Sequence, residues 1–308
     1  MPTLLILVRH ALSTNNVLED KLKSELGIDN FKPRYNKEKS CDPEIAVPLG
    51  VQQAERLASV FKDTVLDKVP KAFVGAPVEL ISSTMARALA TALPISKELD
   101  LPVSVLPEIH EAGGCWTADL GGQPGATPEE IEALYPGFKV DPGVHSTGWW
   151  SKEGREKPEE ADARAVKIAG RLQDRAKLLD GHRIVVMVTH GDWMQRLLRQ
   201  IITADVHIAV DFKHLNTATT AIVLPHKEGA RTQVIWINKG DHLDQEPSLR
   251  DIHDIGHEEL GRSSPMSTAS SGRCHSPANL HRNLTVPLMN VASTQAGGGA
   301  ALPAAEER

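Results

Sequence analysis

Residues 3–10 read Thr-Leu-Leu-Ile-Leu-Val-Arg-His. Thr3 to Val8 has the length and β-branched, aliphatic content of a strand buried on both faces. Arg9-His10 then places two cationic side chains at its C-terminal end, where open α/β sheets form their ligand crevices. The pattern returns at Ile184-Val185-Val186-Met187-Val188-Thr189, which runs into His190-Gly191. A third apolar stretch, residues 78–81, leads into Ser83-Thr84-Met85-Ala86-Arg87. Two histidines and two arginines converging on one sheet edge suit a phosphoryl group, because guanidinium offers a planar fork that stays charged.

Working outward, strands alternate with helical periodicity. Strands are expected at residues 78–82, Val103–Leu106, 184–189, Thr219–Leu224 and 232–238. Helices are expected at residues 17–26, 51–66, 85–98, 128–135, 161–179 and 193–202. The helix at 161–179 is strongly amphipathic, with Ala165, Ile168, Ala169, Leu172 and Ala176 on one face. Continuous apolar strands alternating with helices predict an α/β class fold, a three-layer α/β/α sandwich around a mostly parallel central sheet. Residues 107–158, rich in Gly, Pro and Trp, read as a cap inserted over the strand ends. One domain is therefore expected over residues 1–243, followed by a disordered Ser-, Ala-, Gly- and Pro-rich tail over 244–308. Ser264-Pro265 and Ser276-Pro277 are read as solvated tail residues.

With 308 residues and 41% hydrophobic content, the chain can build a sizeable core. A net charge of −6 disfavours a general nucleic-acid partner. Cys41, Cys115 and Cys274 are odd in number and without CxxC spacing, which argues against a disulfide framework or zinc site. No apolar stretch reaches membrane-spanning length, and the N-terminus enters a strand without a basic region or cleavage motif. A cytoplasmic protein with no membrane partner is expected, and its oligomeric state is not legible.

The segment from Arg9-His10 to Asn15-Asn16 resembles the Arg-His-Gly signature of the histidine phosphatase superfamily, the phosphoglycerate mutase-like fold. Ser83 to Ala92 looks like its second motif and Val188-Thr189-His190-Gly191 its third. Asp42-Pro43, followed by Pro48-Leu49-Gly50 and Gln53-Ala54, fits the intervening segment. Four matches in order span about Thr3 to Asn238. The resemblance implies that His10 is the nucleophile, forming a phosphohistidine. Arg9, Arg87 and His190 would hold the phosphoryl oxygens, with Asn16 and Gly191 beside them. It also implies a carboxylic acid after the second motif. Glu111 and Glu108 both qualify, and Glu111 is favoured because it directly precedes Ala112 and the glycines Gly113-Gly114. Two departures stand out: Ala11 replaces the usual glycine and Leu12 the usual acidic residue.

The implied activity is metal-independent, cofactor-free hydrolysis of a small phosphorylated substrate. Phosphoglycerate mutase-type transfer is the rival reading. It is disfavoured because the mutase Arg-His-Tyr-Gly segment is missing and Gly148-Trp149-Trp150-Ser151 occupies that region. A catalytically silent phospho-ligand binding module is the second rival, disfavoured by the retained His10, His190, Arg9 and Arg87. His110 and His145 lack such support, and Trp116, Trp149 and Trp150 are read as cap packing. The charged run 151–160 is read as a solvated helix entrance. Cys41 and Cys115 are read as plain thiols near the pocket loops.

Overall fold

The computed structural model describes residues 2–249 apart from Leu179, Glu228 and Gln245. In chain order the helices are α1 (Thr14–Leu26), α2 (Lys32–Glu38), α3 (Leu49–Ser59), α4 (Phe61–Thr64), α5 (Ala86–Leu99), α6 (Pro128–Leu134), α7 (Pro158–Leu178), α8 (Gly191–Thr203) and α9 (Asp241–Asp244). The strands are β1 (Thr3–Arg9), β2 (Val78–Ser83), β3 (Val103–Leu106), β4 (Trp116–Thr117), β5 (Gly121–Gly122), β6 (Phe138–Val140), β7 (Arg183–Thr189), β8 (Thr219–Leu224) and β9 (Gln233–Lys239).

Seven strands form one sheet in the order β6-β3-β2-β7-β1-β8-β9. β1, β7, β2, β3 and β6 run parallel, whereas β8 and β9 add an antiparallel edge. Alternation along β1 sends Leu4, Ile6 and Val8 to one face and Leu5 and Leu7 to the other. The first face packs against Leu57, Phe61, Leu89, Ala92 and Ile95 of α3, α4 and α5. The second packs against Ile168, Leu172, Trp193, Leu197 and Ile201 of α7 and α8. This is the three-layer α/β/α sandwich expected from the apolar runs.

The region over the strand ends differs from its sequence reading in two ways. Phe138–Val140 is not part of a separate cap: it pairs in parallel with β3 and forms the sheet edge. Phe138 joins the core there, which draws the chain back into the sheet. Lys32–Glu38, read as part of a polar stretch, also forms α2, whose following loop helps cover the sheet edge. Trp149 and Trp150 are buried with Met85, Cys115 and Val144, as cap packing requires.

After β9, Leu243 and Leu249 are buried, and the Leu249 carbonyl accepts from Gln53 Nε2 at 2.8 Å. The expectation for the tail from residue 250 onward, including both Ser-Pro pairs, lies outside the described residues. Among the described residues no helix is long and apolar enough to cross a membrane.

Candidate active site

β1 and β7 are adjacent and parallel, with Arg9 in register with Thr189, so both end at the same edge of the sheet. His10 and His190 therefore leave side by side, with ring centroids 5.2 Å apart. The His10 amide donates to the Thr189 carbonyl at 2.9 Å. The next two residues are pinned as well: Ala11 N–H donates to Thr91 Oγ1 at 2.9 Å and Leu12 N–H to Gln53 Oε1 at 2.8 Å. Asn216 Nδ2 donates to the His10 carbonyl at 2.8 Å.

His10 is only 3% exposed. Its Nδ1 lies 2.7 Å from the Ala11 carbonyl, which can only accept, so Nδ1 carries the proton. At the other end of the ring, Arg87 Nε–H donates to His10 Nε2 at 3.1 Å. Both contacts select one neutral tautomer, with its lone pair on Nε2.

Arg87 sits in the first turn of α5 and is 6% exposed. Burial lowers its pKa, while Glu111 and Asp42 oppose that shift. Asp42 Oδ1 lies 4.0 Å from Arg87 Nη1 and accepts from the Ala86 amide at 3.0 Å. Burial pushes the Asp42 carboxyl up to about 6 despite Arg87. Arg9 Nη1 donates to the His214 carbonyl at 2.5 Å. Gly191 lies against Arg9, since a Cβ there would stand 3.4 Å from Arg9 Nε. His190 is fully buried, with Nε2 hydrogen-bonded to Ser83 Oγ at 2.8 Å. Burial, then the charge of Arg87, holds its pKa well below the usual imidazole range. It is therefore neutral at pH 7.

The two candidate acids occupy opposite environments. Glu111 lines a cavity of about 210 Å³ together with Arg87. Its Oε1 accepts from the amides of Ala112 and Trp193, both at 2.9 Å, and so sits over the N-terminus of α8. Burial and then Asp192 raise its pKa, with Arg87 and those amides opposing. Glu108 instead bonds Lys167 Nζ at 3.0 Å and Arg171 Nη1 at 2.7 Å on the flank of α7. Burial would raise Glu108, but these two cations outweigh it and lower its pKa.

The segment carrying Glu111 is held from behind by an ion pair that the sequence reading did not single out. Glu156 is 4% exposed. It receives Arg164 Nη2 at 2.7 Å, Arg164 Nε at 2.9 Å and the Gly113 amide at 3.2 Å. Arg164 Nη1 also donates to the carbonyls of Glu108 and His110, both at 2.9 Å. Residues 151–160 are thus not uniformly solvated, because Glu156 turns inward to compensate a half-buried arginine. His110 belongs to this support, with Nδ1 2.5 Å from the Pro107 carbonyl and its ring against Trp149 and Trp150. His145 is exposed and bonds Thr147 Oγ1 at 2.8 Å. Gly114 closes the segment at φ +71°, and a Cβ there would collide with the Trp150 ring.

The cavity is further lined by Asn15, Tyr35, Lys39, Cys41, Trp116 and Arg155. Asn16 is engaged at N3 of α1, where its Oδ1 accepts from Ser13 N at 3.1 Å and Ser13 Oγ at 2.8 Å in a capping box. Cys41 lies in the cavity wall, and a hydrogen bond with Cys115 lowers its thiol pKa to about 7. The structure thus brings His10, His190, Arg9, Arg87, Gly191 and Glu111 together and leaves Glu108 outside.

Comparison with curated proteins finds no match. Among solved structures, a mycobacterial glucosyl-3-phosphoglycerate phosphatase is 21% identical, covering 78% of this chain and 100% of that one at a TM-score of 0.49. A phosphoserine phosphatase from Entamoeba histolytica is 23% identical over 78% of this chain and 99% of that one, at 0.46. A sequence model described as the histidine phosphatase superfamily (branch 1) matches residues 5–238, from β1 through β9 and every motif of the site. The chain belongs to the histidine phosphatase superfamily.

Proposed function

We propose that this protein hydrolyses phosphate monoesters through a phosphohistidine at His10, without a metal ion. The observation that carries the reading is the tautomer lock on His10: the Ala11 carbonyl holds the proton on Nδ1 and leaves the Nε2 lone pair as nucleophile. Arg87 covers that lone pair through Nε–H, so an incoming phosphate dianion competes for the guanidinium and uncovers Nε2.

In the first step His10 Nε2 forms the N–P bond and the P–O bond to the alcohol breaks. Arg9 and Arg87 balance the charge spread over the phosphoryl oxygens, as this reaction class demands. His190, neutral and beside His10, donates a hydrogen bond to the same oxygens. Glu111 gives its proton to the departing alkoxide. Its raised pKa suits that work, and the dianion raises it further. In the second step water attacks phosphorus and Glu111 takes the water's proton. The P–N bond breaks, which frees inorganic phosphate and restores neutral His10. Glu108, tied to Lys167 and Arg171, has no part in this scheme. The substrate is a small phosphorylated molecule, and a reducing, cytoplasmic setting fits the free thiols of Cys41 and Cys115.

Hydrolysis of p-nitrophenyl phosphate in the presence of a chelator tests the reading. Chelator-resistant turnover that disappears in His10→Ala is expected. Turnover that survives in His10→Ala, or that needs added metal, would overturn it.

A further inference from the structure

Most cations around the catalytic unit have a carboxylate partner. Arg164 pairs with Glu156, Arg171 and Lys167 with Glu108, Arg175 with Glu79, and Lys152 with Glu160. Two cations in the cavity wall break this pattern. Lys39 lies in the loop after α2, with Nζ 4.1 Å from the Trp116 ring centroid and 3.0 Å from the Trp116 carbonyl. Arg155, from the loop before α7, has its guanidinium carbon 5.3 Å from the same ring. Neither forms an ion pair with a carboxylate among the described residues. The charged and titratable groups that act most strongly on Lys39 are Arg155, Arg87, Cys41 and Cys115, and the carboxylate that shares its cavity, Glu111, is held by the amides of Ala112 and Trp193. Two like charges gathered on one aromatic ring repel each other, and an anion between them reverses the sign of that interaction.

Both residues line the same cavity as Arg87 and Glu111. The cavity wall therefore carries, besides Arg87, a second pair of cations, Lys39 and Arg155. We propose that Lys39 and Arg155, held against Trp116, form a subsite for a second anionic group of the substrate. The preferred substrates are then phosphate monoesters whose alcohol carries a carboxylate or a further phosphate. This inference rests on the phosphatase reading and names the substrate class of that same site.

Two matched pairs of esters test it. 3-Phosphoglycerate and glycerol 3-phosphate differ by a carboxylate in place of a hydroxymethyl group. Fructose 1,6-bisphosphate and fructose 6-phosphate differ by the second phosphate. The wild type is expected to prefer the more anionic member of at least one pair, and the pair that shows the preference identifies the anion. In Lys39→Met and Arg155→Met that kcat/KM ratio should fall about tenfold or more, the loss expected for one charge-assisted hydrogen bond. A second readout needs no variant. Burial and Arg155 lower Lys39 to about 8. The wild-type ratio should therefore shrink as pH rises from about 7 to about 9 and Lys39 loses its charge. Ionisation of Cys41 over this range acts in the same direction. Equal kcat/KM within both pairs, or ratios unmoved by both variants and by pH, would overturn the subsite. If p-nitrophenyl phosphate is hydrolysed but none of the four esters is, the subsite fails while the phosphatase reading stands. If p-nitrophenyl phosphate is also inert, both fail.

Discussion

At the scale of single residues, the account turns on which groups carry protons. Glu111→Gln should lower kcat/KM for alkyl phosphates by about 10²–10⁴-fold, the range for loss of a general acid. It should cost far less for p-nitrophenyl phosphate, whose leaving group needs little help. With alkyl esters, wild-type activity should fall as pH rises through the raised Glu111 pKa, and the variant should lack that limb. Glu108→Gln should leave both profiles in place. Asp42 gives a stability test with a definite sign. Its folded pKa, raised to about 6 from 3.8, means the folded state binds its proton more tightly. That stabilisation is complete below pH 3.8 and is lost as pH rises through about 6. Urea midpoints of Asp42→Asn against wild type should therefore diverge in favour of the variant as pH climbs through this range. His10, His190, Arg9 and Arg87 were legible in the sequence because each follows an apolar run that ends at the sheet edge. Glu111 was favoured over Glu108 only through the resemblance and its place before the glycines; what separates the two physically is their partners, helix amides and Arg87 for one, Lys167 and Arg171 for the other, and those meet only in the fold.

At the scale of elements, α7 contributes more than a packing face. Arg164 projects from it to bind Glu156 and two carbonyls of the segment that ends in Glu111. Glu156→Ala leaves that guanidinium half-buried and uncompensated, which should destabilise the fold by about 3–5 kcal/mol in denaturant titration. The surviving folded enzyme should lose kcat on alkyl esters more than on p-nitrophenyl phosphate, since it is the acid that loses its support. A loss of stability with equal effects on both esters would show that the ion pair is structural only. The apolar helices α3, α5, α7 and α8 announced themselves by periodicity. The helix α2 did not: Lys32–Glu38 buries no side chain, so it lacks an amphipathic stripe. The strand β6 is three residues long and sits among glycines and prolines, too short for alternation to show. Lys39 and Arg155 escaped notice for the same reason, as they stand on polar segments that meet only in the fold.

At the scale of the molecule, the alternation of apolar strands and helices specified the sandwich, while the cover over its edge was assembled from two distant stretches, residues 14–43 and 111–156. The fold closes on its own C-terminal turns: His242 Nε2 lies 2.8 Å from Thr217 Oγ1, and the Leu249 carbonyl satisfies Gln53, which in turn holds the Leu12 amide beside His10. Truncation after Gly240 should therefore lower both thermal stability and turnover, measured by unfolding and by p-nitrophenyl phosphate hydrolysis. In the proposed mechanism all of these layers serve one bond, between His10 Nε2 and phosphorus. The most direct measurement is to quench turnover of a ³²P-labelled ester in alkali and map the label. The account predicts an alkali-stable, acid-labile phosphoryl group on His10, absent in His10→Ala and accumulating in Glu111→Gln when the labelled ester is p-nitrophenyl phosphate, whose departure needs little acid help while hydrolysis of the intermediate is slowed. Turnover that leaves no label on the protein, or label at a residue other than His10, would contradict it.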